Sequence, residues 1–277
     1  MAQGAGDRGE PFGWWGHRSR PSRSLTIIDL LRNGNLDARI AAFFWLAIER
    51  RASLIVTSTL QDAGKTTLLT ALLDFLPAEI ERLYLRGWYE RFDFTESKDP
   101  RKTYLLCNEI SDNLPTYLWG PGVSRLFETA LRGYPLATTM HAAGADAIVE
   151  MLTAYPLTVP RAHLRSIDFV LTLDGGSRSA GFLRRLMRVE TLTGADDTDL
   201  QIESIAERDV LLGPLVTRPG QLIGLLSDRF GLPREEAITQ LARREQFLDH
   251  LMHEHLGTDS AEYPELVRDA IRRFATA

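Results

Sequence analysis

Apolar residues fall into two spacings along this chain. Short apolar runs occur at Leu54-Ile55-Val56 and Thr103–Cys107, and a third, Leu136-Ala137-Thr138-Thr139-Met140, predicts another strand. Runs without a polar alternate predict strands buried on both faces, as a parallel sheet requires. Leu83-Tyr84-Leu85 predicts a shorter strand. Between them lie stretches with helical spacing: 36–50, apolar on more than one face and so a buried helix, then 65 to about 75, stopped by Pro77, then 123–132 and 145–154. Leu25–Leu31 predicts a short helix or strand, ended by Asn33-Gly34-Asn35. Ser166–Leu173 and Arg184–Thr193 predict two strands flanking a turn at Asp174-Gly175-Gly176, an antiparallel hairpin that closes the sheet. From Glu207 onward the pattern turns helical, over 221–230, 234–256 and 261–274, punctuated by Gly231-Leu232-Pro233 and Gly257.

The expected fold is therefore α/β, a mostly parallel sheet flanked by helices with a closing hairpin and a small helical C-terminal unit. Residues 1–24, rich in Gly, Arg, Ser and Pro, predict a disordered tail or linker. Residues 25–207 form the sheet domain and 208–277 the helical unit. Trp88–Pro100, aromatic and charged without period, predicts a loop folded over the core.

Composition narrows the class. The chain has 277 residues, 44% hydrophobic and 25% charged, with a net charge of −5. That acidic balance is not the footprint of a protein whose main partner is nucleic acid. The single cysteine, Cys107, permits no internal disulfide and points to a reducing, cytoplasmic setting. No run reaches the ~20 apolar residues of a membrane span, so direct membrane insertion is not expected.

The chemistry concentrates where the first strand ends. Leu54–Ser58 runs into Thr59-Leu60-Gln61-Asp62-Ala63 and then Gly64-Lys65-Thr66-Thr67, which opens a helix. Strand, short loop and helix N-terminus in that order make a phosphate-binding P-loop. Successive backbone N–H groups and the positive end of the helix converge on one spot and favour a polyanion. Thr59, Asp62, Ala63, Gly64, Lys65, Thr66 and Thr67 are the candidate nucleotide-binding residues. Lys65 would reach the outer phosphates, and the Thr66 hydroxyl would hold Mg2+. Thr59 stands where the pattern has its first glycine.

In a parallel sheet, ligands bind beyond the carboxyl ends of the strands. Glu109 ends the second apolar run and His141 ends the third, so both are expected at the same crevice. Glu109 would orient an attacking water or hold a water on the magnesium, and His141 would hydrogen-bond a terminal phosphate. Asp112, three residues past Glu109, serves equally well as a metal ligand or as the cap of a following helix. His250, His253 and His255 lie on a helix in an order that is not His-Glu-x-x-His, and read as a solvated face. Cys107, inside a buried strand, has no catalytic role.

These residues resemble the secretion ATPase superfamily, the RecA-like motors of type II secretion, type IV pili and type IV secretion, and look closest to its tight-adherence pilus branch. Leu106-Cys107-Asn108-Glu109-Ile110-Ser111-Asp112 is similar to the family's Walker B segment, with Glu109 and Asp112 matching and Asn108 and Ser111 departing. Ala130–Ala142 is similar to the segment ending in its His box, with Gly133, Thr139, His141 and Ala142 matching. The likeness covers residues 25 to 207. It implies a P-loop NTPase that binds ATP and Mg2+, with Glu109 and His141 catalytic. It also implies a ring of six copies working with membrane secretion or pilus machinery, peripheral to the inner membrane. The chain begins too late for the family's N-terminal domain, and the family's acidic segment has no clear counterpart. With Thr59, these departures keep open an alternative: a degenerate nucleotide-binding or scaffold protein of the same fold, with little or no hydrolysis. A small-molecule kinase would need an acceptor pocket that no residue marks.

Overall fold

The computed structural model describes residues 11, 14, 24–178, 181–194, 200–218, 220–254 and 260–276, with the backbone alone at 176–178, 181 and 182. Each of these three stretches becomes a central strand: β1 (Leu54–Thr57), β3 (Thr103–Glu109) and β4 (Leu136–Met140), all buried along their whole length. With β2 (Glu81–Tyr84) and the first part of β5 (Phe169–Arg178), they pair in parallel in the order β2-β3-β4-β1-β5. The sheet then turns antiparallel through β6 (Gly181–Thr193), β7 (Gln201–Glu207) and the two-residue β8 (Val216–Thr217).

Helices α3 (Lys65–Leu72), α4 (Pro121–Leu131) and α5 (Ala145–Thr153) join the parallel strands. The β1 strand sits between β4 and β5, with its loop leading into α3. This is a RecA-like α/β fold, and it places the ends of β1, β3 and β4 side by side.

One face of the sheet packs against α1 (Ile27–Arg32), α2 (Ala38–Glu49) and the C-terminal helices α6 (Gln221–Asp228), α7 (Arg234–His253) and α8 (Tyr263–Ala275), in a single apolar cluster. The other face packs under α4 and α5. The apolar run of α2 on more than one face is explained by this position, since every residue from Ile40 to Ile48 is buried. Trp45 stacks on Phe75 at 4.9 Å and meets Phe247 and Phe274 from α7 and α8. Beside it the Arg244 guanidinium of α7 bonds Glu49 of α2 at 2.8 Å. Arg268 of α8 bonds Asp74, just past α3, at 3.0 Å. A boundary at residue 208 falls between β7 and β8.

The structure corrects one turn. Asp174, Gly175 and Gly176 do not form the hairpin bend; they lie inside β5, paired with Arg185, Arg184 and Leu183, and the strand continues to Arg178. Glycine in a strand often marks close approach by a neighbour rather than a bend. The strands β7 and β8 are additions to the sequence reading.

The tail reading of residues 1–24 lies outside the described residues, apart from Pro11, Trp14 and Ser24. Trp14 is buried. Its ring meets Tyr84 edge-on at 4.9 Å, its Nε1 donates to Leu85 O at 3.1 Å, and its carbonyl accepts from Asn108 Nδ2. Of the three histidines, His255 lies outside the described residues. His250 and His253 are exposed on α7, where His250 Nε2 stands 2.9 Å from Glu254 Oε1.

Candidate functional site

Thr57, the last residue of β1, is fully buried and polar. Its hydroxyl donates to Ala142 O at 2.9 Å and accepts from Ala142 N at 2.9 Å. This exchange pins the segment after β4 to the end of β1. His141, one residue earlier, is thereby held beside the start of α3.

The loop from Thr59 to Gly64 then turns through two left-handed residues, Asp62 at φ 55° and Gly64 at φ 89°. Lys65 opens α3 and is buried. Its Nζ lies 2.9 Å from His141 Nε2, and that nitrogen lies 3.8 Å from Glu109 Oε1. Thr139 Oγ1 donates toward Asn108 O at 3.0 Å and Glu109 Oε2 at 3.4 Å, from the register pair Glu109 and Thr139. Lys65, Glu109 and His141 thus come from three elements and meet at one point.

Burial holds the Lys65 ammonium below its usual range, and the charges of Glu109 and then Asp62 pull it back upward. A charged Lys65 can only donate, so His141 Nε2 accepts and the imidazole proton belongs on Nδ1. This arrangement sets Lys65 against the carboxylates of Glu109 and, more weakly, Asp62. It leaves the helix N-terminus without an anion of its own.

The cradle passes a test of fit. Ala63 is buried, yet none of the hydrogen bonds among the described residues uses the N–H of Ala63, Gly64 or Lys65 as donor. Buried backbone donors are nearly always paired. A row of such groups at a helix N-terminus suits a phosphate. Thr66 and Thr67 stand half-buried in the first turn of α3, and Thr59 is exposed. Among the described residues no cluster of three or more His, Cys, Asp or Glu is placed to hold a metal. The Thr66 hydroxyl, half-buried in that first turn, is the protein group that would hold Mg2+ were the ion to enter with a phosphate.

Asp112 is not drawn into this group. It is exposed on the loop after Ser111, and no helix follows until Pro121, so its expected capping role is absent. The reading of Cys107 stands on firmer ground, because burial pushes its thiol up to about 12. Iodoacetamide at pH 8 is therefore expected to leave native Cys107 unmodified and to alkylate it readily in guanidinium chloride, as read by mass spectrometry. The thiol ionises in the unfolded chain near its ordinary 9.0 but in the native state only near 12. Ionisation thus favours unfolding as pH rises through that window.

The strand patterns did not reveal the polar residues that frame the site. Glu190 of β6 is buried, and its Oε2 accepts from Ala145 N at 3.1 Å, which caps α5. Arg188 donates to Ala143 O at 2.6 Å. Both fix the segment after His141. Tyr117 is half-buried; its phenol is raised by burial first and by the charge of Glu109 second, which places it beside the crevice. A polar residue inside an apolar strand, as at Thr57 and Glu190, was the available signal.

No family model matches the chain. Two proteins of Methanocaldococcus jannaschii, both described as uncharacterized, are similar in sequence. MJ1287 is 24% identical over 255 residues, covering 80% of this chain and 90% of its own length. MJ0900 is 23% identical over 189 residues, covering 61% of this chain and 34% of its own length. Among solved structures, the VirB11 ATPase of the Brucella suis type IV secretion system overlaps 65% of this chain at 19% identity and a TM-score of 0.40. The ATPase DotB of Yersinia pseudotuberculosis overlaps 91% at 12% identity and a TM-score of 0.42. The chain spans 60% and 65% of those two solved chains, under two thirds of each. Among the described residues no helix is long and apolar enough to cross a membrane.

Proposed function

We propose that this chain binds ATP at the N-terminus of α3 and is a homologue of the secretion and pilus ATPases that couples binding and hydrolysis to conformational change. The observation that carries the reading is the meeting of Lys65, Glu109 and His141 beside backbone donors that have no acceptor among the described residues. A triphosphate entering that cradle takes up the N–H groups of Ala63 to Lys65 and gives Lys65 an anionic partner. Lys65 then leaves His141, whose Nε2, once it carries the imidazole proton in place of Nδ1, donates to the terminal phosphate. Glu109, buried and adjacent, takes the proton of a water aligned with that phosphate. Bound Mg2+ would supply charge neutralisation on the phosphates, held on the protein side by Thr66.

Residues 25–207 are the nucleotide-binding domain in this reading and 208–277 a C-terminal unit. The Walker B-like and His-box-like segments support assembly of six copies and work with membrane secretion machinery from the cytoplasm. A second reading, nucleotide binding with little or no hydrolysis, is favoured by Thr59 in place of glycine.

Calorimetric titration with magnesium ATP tests the core of the proposal. Lys65→Ala is expected to weaken affinity by about 10–100-fold, the worth of one charge-assisted contact set at ~1.5–3 kcal/mol. Equal heats for both proteins would put the nucleotide elsewhere.

A further inference from the structure

We infer that Arg184 of β6 is a positioning residue of the phosphate loop: by bonding the Asp62 carbonyl it aims the Ala63 N–H into the cradle for a nucleoside di- or triphosphate. The inference rests on the nucleotide reading above and adds a residue from the antiparallel half of the sheet. Arg184 Nε donates to Asp62 O at 2.7 Å across 122 residues of sequence. The carbonyl and the next N–H of a trans peptide point in opposite directions. Holding the Asp62 carbonyl on one side therefore turns the N–H of Ala63 to the other, and that N–H is one of the donors without an acceptor among the described residues.

Asp62 also needs holding. Its φ of 55° is a left-handed conformation that costs a non-glycine residue about 1–2 kcal/mol. The loop has threonine at position 59 rather than a freely turning glycine. A strong external bond is what keeps such a residue in place. The stem of Arg184 contributes as well: a Cβ built on Gly64 would stand 2.9 Å from Arg184 Cδ, so glycine at 64 lets the side chain lie flat on the loop.

The anchor is fixed at its own end. Arg184 is paired with Gly175 in β5, and its carbonyl accepts from Asn35 Nδ2 and from the Arg185 guanidinium, each at 2.9 Å. The glycine opposite leaves the arginine room on its strand. Two neighbouring β6 side chains, Arg188 and Glu190, grip the segment after His141 in the same manner. One strand thus fixes both loops of the site.

The test is calorimetry of magnesium ATP and magnesium ADP with wild type, Arg184→Met, Arg184→Lys and Lys65→Ala, together with thermal unfolding of each free protein. Arg184→Met keeps the stem and removes the N–H donors; Arg184→Lys keeps the charge. Both are expected to weaken ATP and ADP by the same factor, about tenfold, because the cradle serves the phosphates common to both. The midpoint of the nucleotide-free protein should stay within about 2 °C, since the side chain is exposed. Loss of ATP affinity alone, or full affinity in Arg184→Lys, would make the residue a simple charge and overturn the positioning role. Wild-type affinity in Arg184→Met beside a loss in Lys65→Ala would overturn it while sparing the nucleotide site. No binding by wild type would overturn both.

Discussion

Glu109→Gln is expected to cut phosphate release from magnesium ATP by about 10²–10⁴-fold while leaving nucleotide affinity within about twofold. The amide keeps the shape of the carboxylate and can still accept from Thr139, so the β3–β4 register should survive. What it loses is the base and the negative charge beside His141 and Lys65. In phosphoryl transfer the protein contributes chiefly by positioning groups and neutralising charge, so removing one well-placed group falls on the chemical step. The charge has a second role: Glu109 is the larger of the two electrostatic influences that lift Lys65 against its burial. The variant's Lys65 should therefore lose its proton at lower pH, and nucleotide affinity should fall at a lower pH than in wild type as pH is raised. Phosphate release and calorimetry over pH 7–10 separate the two effects. Unchanged turnover would remove Glu109 from the reaction.

The parts of this fold that were legible in the sequence are those governed by local pattern. Short apolar runs mark β1 and β3, and Leu136–Met140 marks β4, because both faces of those strands are covered. Knowing that ligands sit beyond the carboxyl ends of such strands then brings Lys65, Glu109 and His141 together without a structure. What was not legible depends on partners distant in sequence. The bond between Thr57 and Ala142 spans 85 residues, and the cap that Glu190 gives α5 spans 45. Gly175 and Gly176 read locally as a bend, yet pairing with Arg184 and Leu183 of the facing strand keeps them within β5. Asp112 matches a motif by spacing, but the loop after it leaves it in solvent without a helix to cap. Trp14 sat in a stretch whose composition marks a tail, and it is buried by a pocket at the ends of β2 and β3 that no local pattern announces.

Asp168→Ala is expected to lower the unfolding free energy by about 2–3 kcal/mol, below the ~3–5 kcal/mol of a fully buried ion pair broken from one side, because Asp168 and Arg229 each keep some contact with solvent. Asp168 closes the base of the same sheet. Its carboxylate accepts from Ser53 N at 2.6 Å, just ahead of β1, and from Arg229 Nε at 2.5 Å, at the end of α6. The Arg229 guanidinium also donates to Leu192 O and Ile167 O, so one side chain joins the helix to β5 and β6. Deleting the carboxylate strands that cation. Yet burial holds the Asp168 carboxyl above its usual range, and Arg229 and the Ser53 N–H only partly pull it down. A native-state value above the unfolded one means the folded protein keeps a proton that the unfolded chain has lost. This group's contribution to stability therefore falls as pH rises through the window just above 3.8 and is level beyond it. The pair is thus costly to break but no better than a neutral arrangement. Asp168→Asn should cost less than Asp168→Ala, and adding Arg229→Met to Asp168→Ala should return part of the loss. Urea unfolding of wild type, Asp168→Ala, Arg229→Met and the double variant measures the coupling. A double variant as unstable as the sum of its singles would show that the two side chains act independently at the foot of β1.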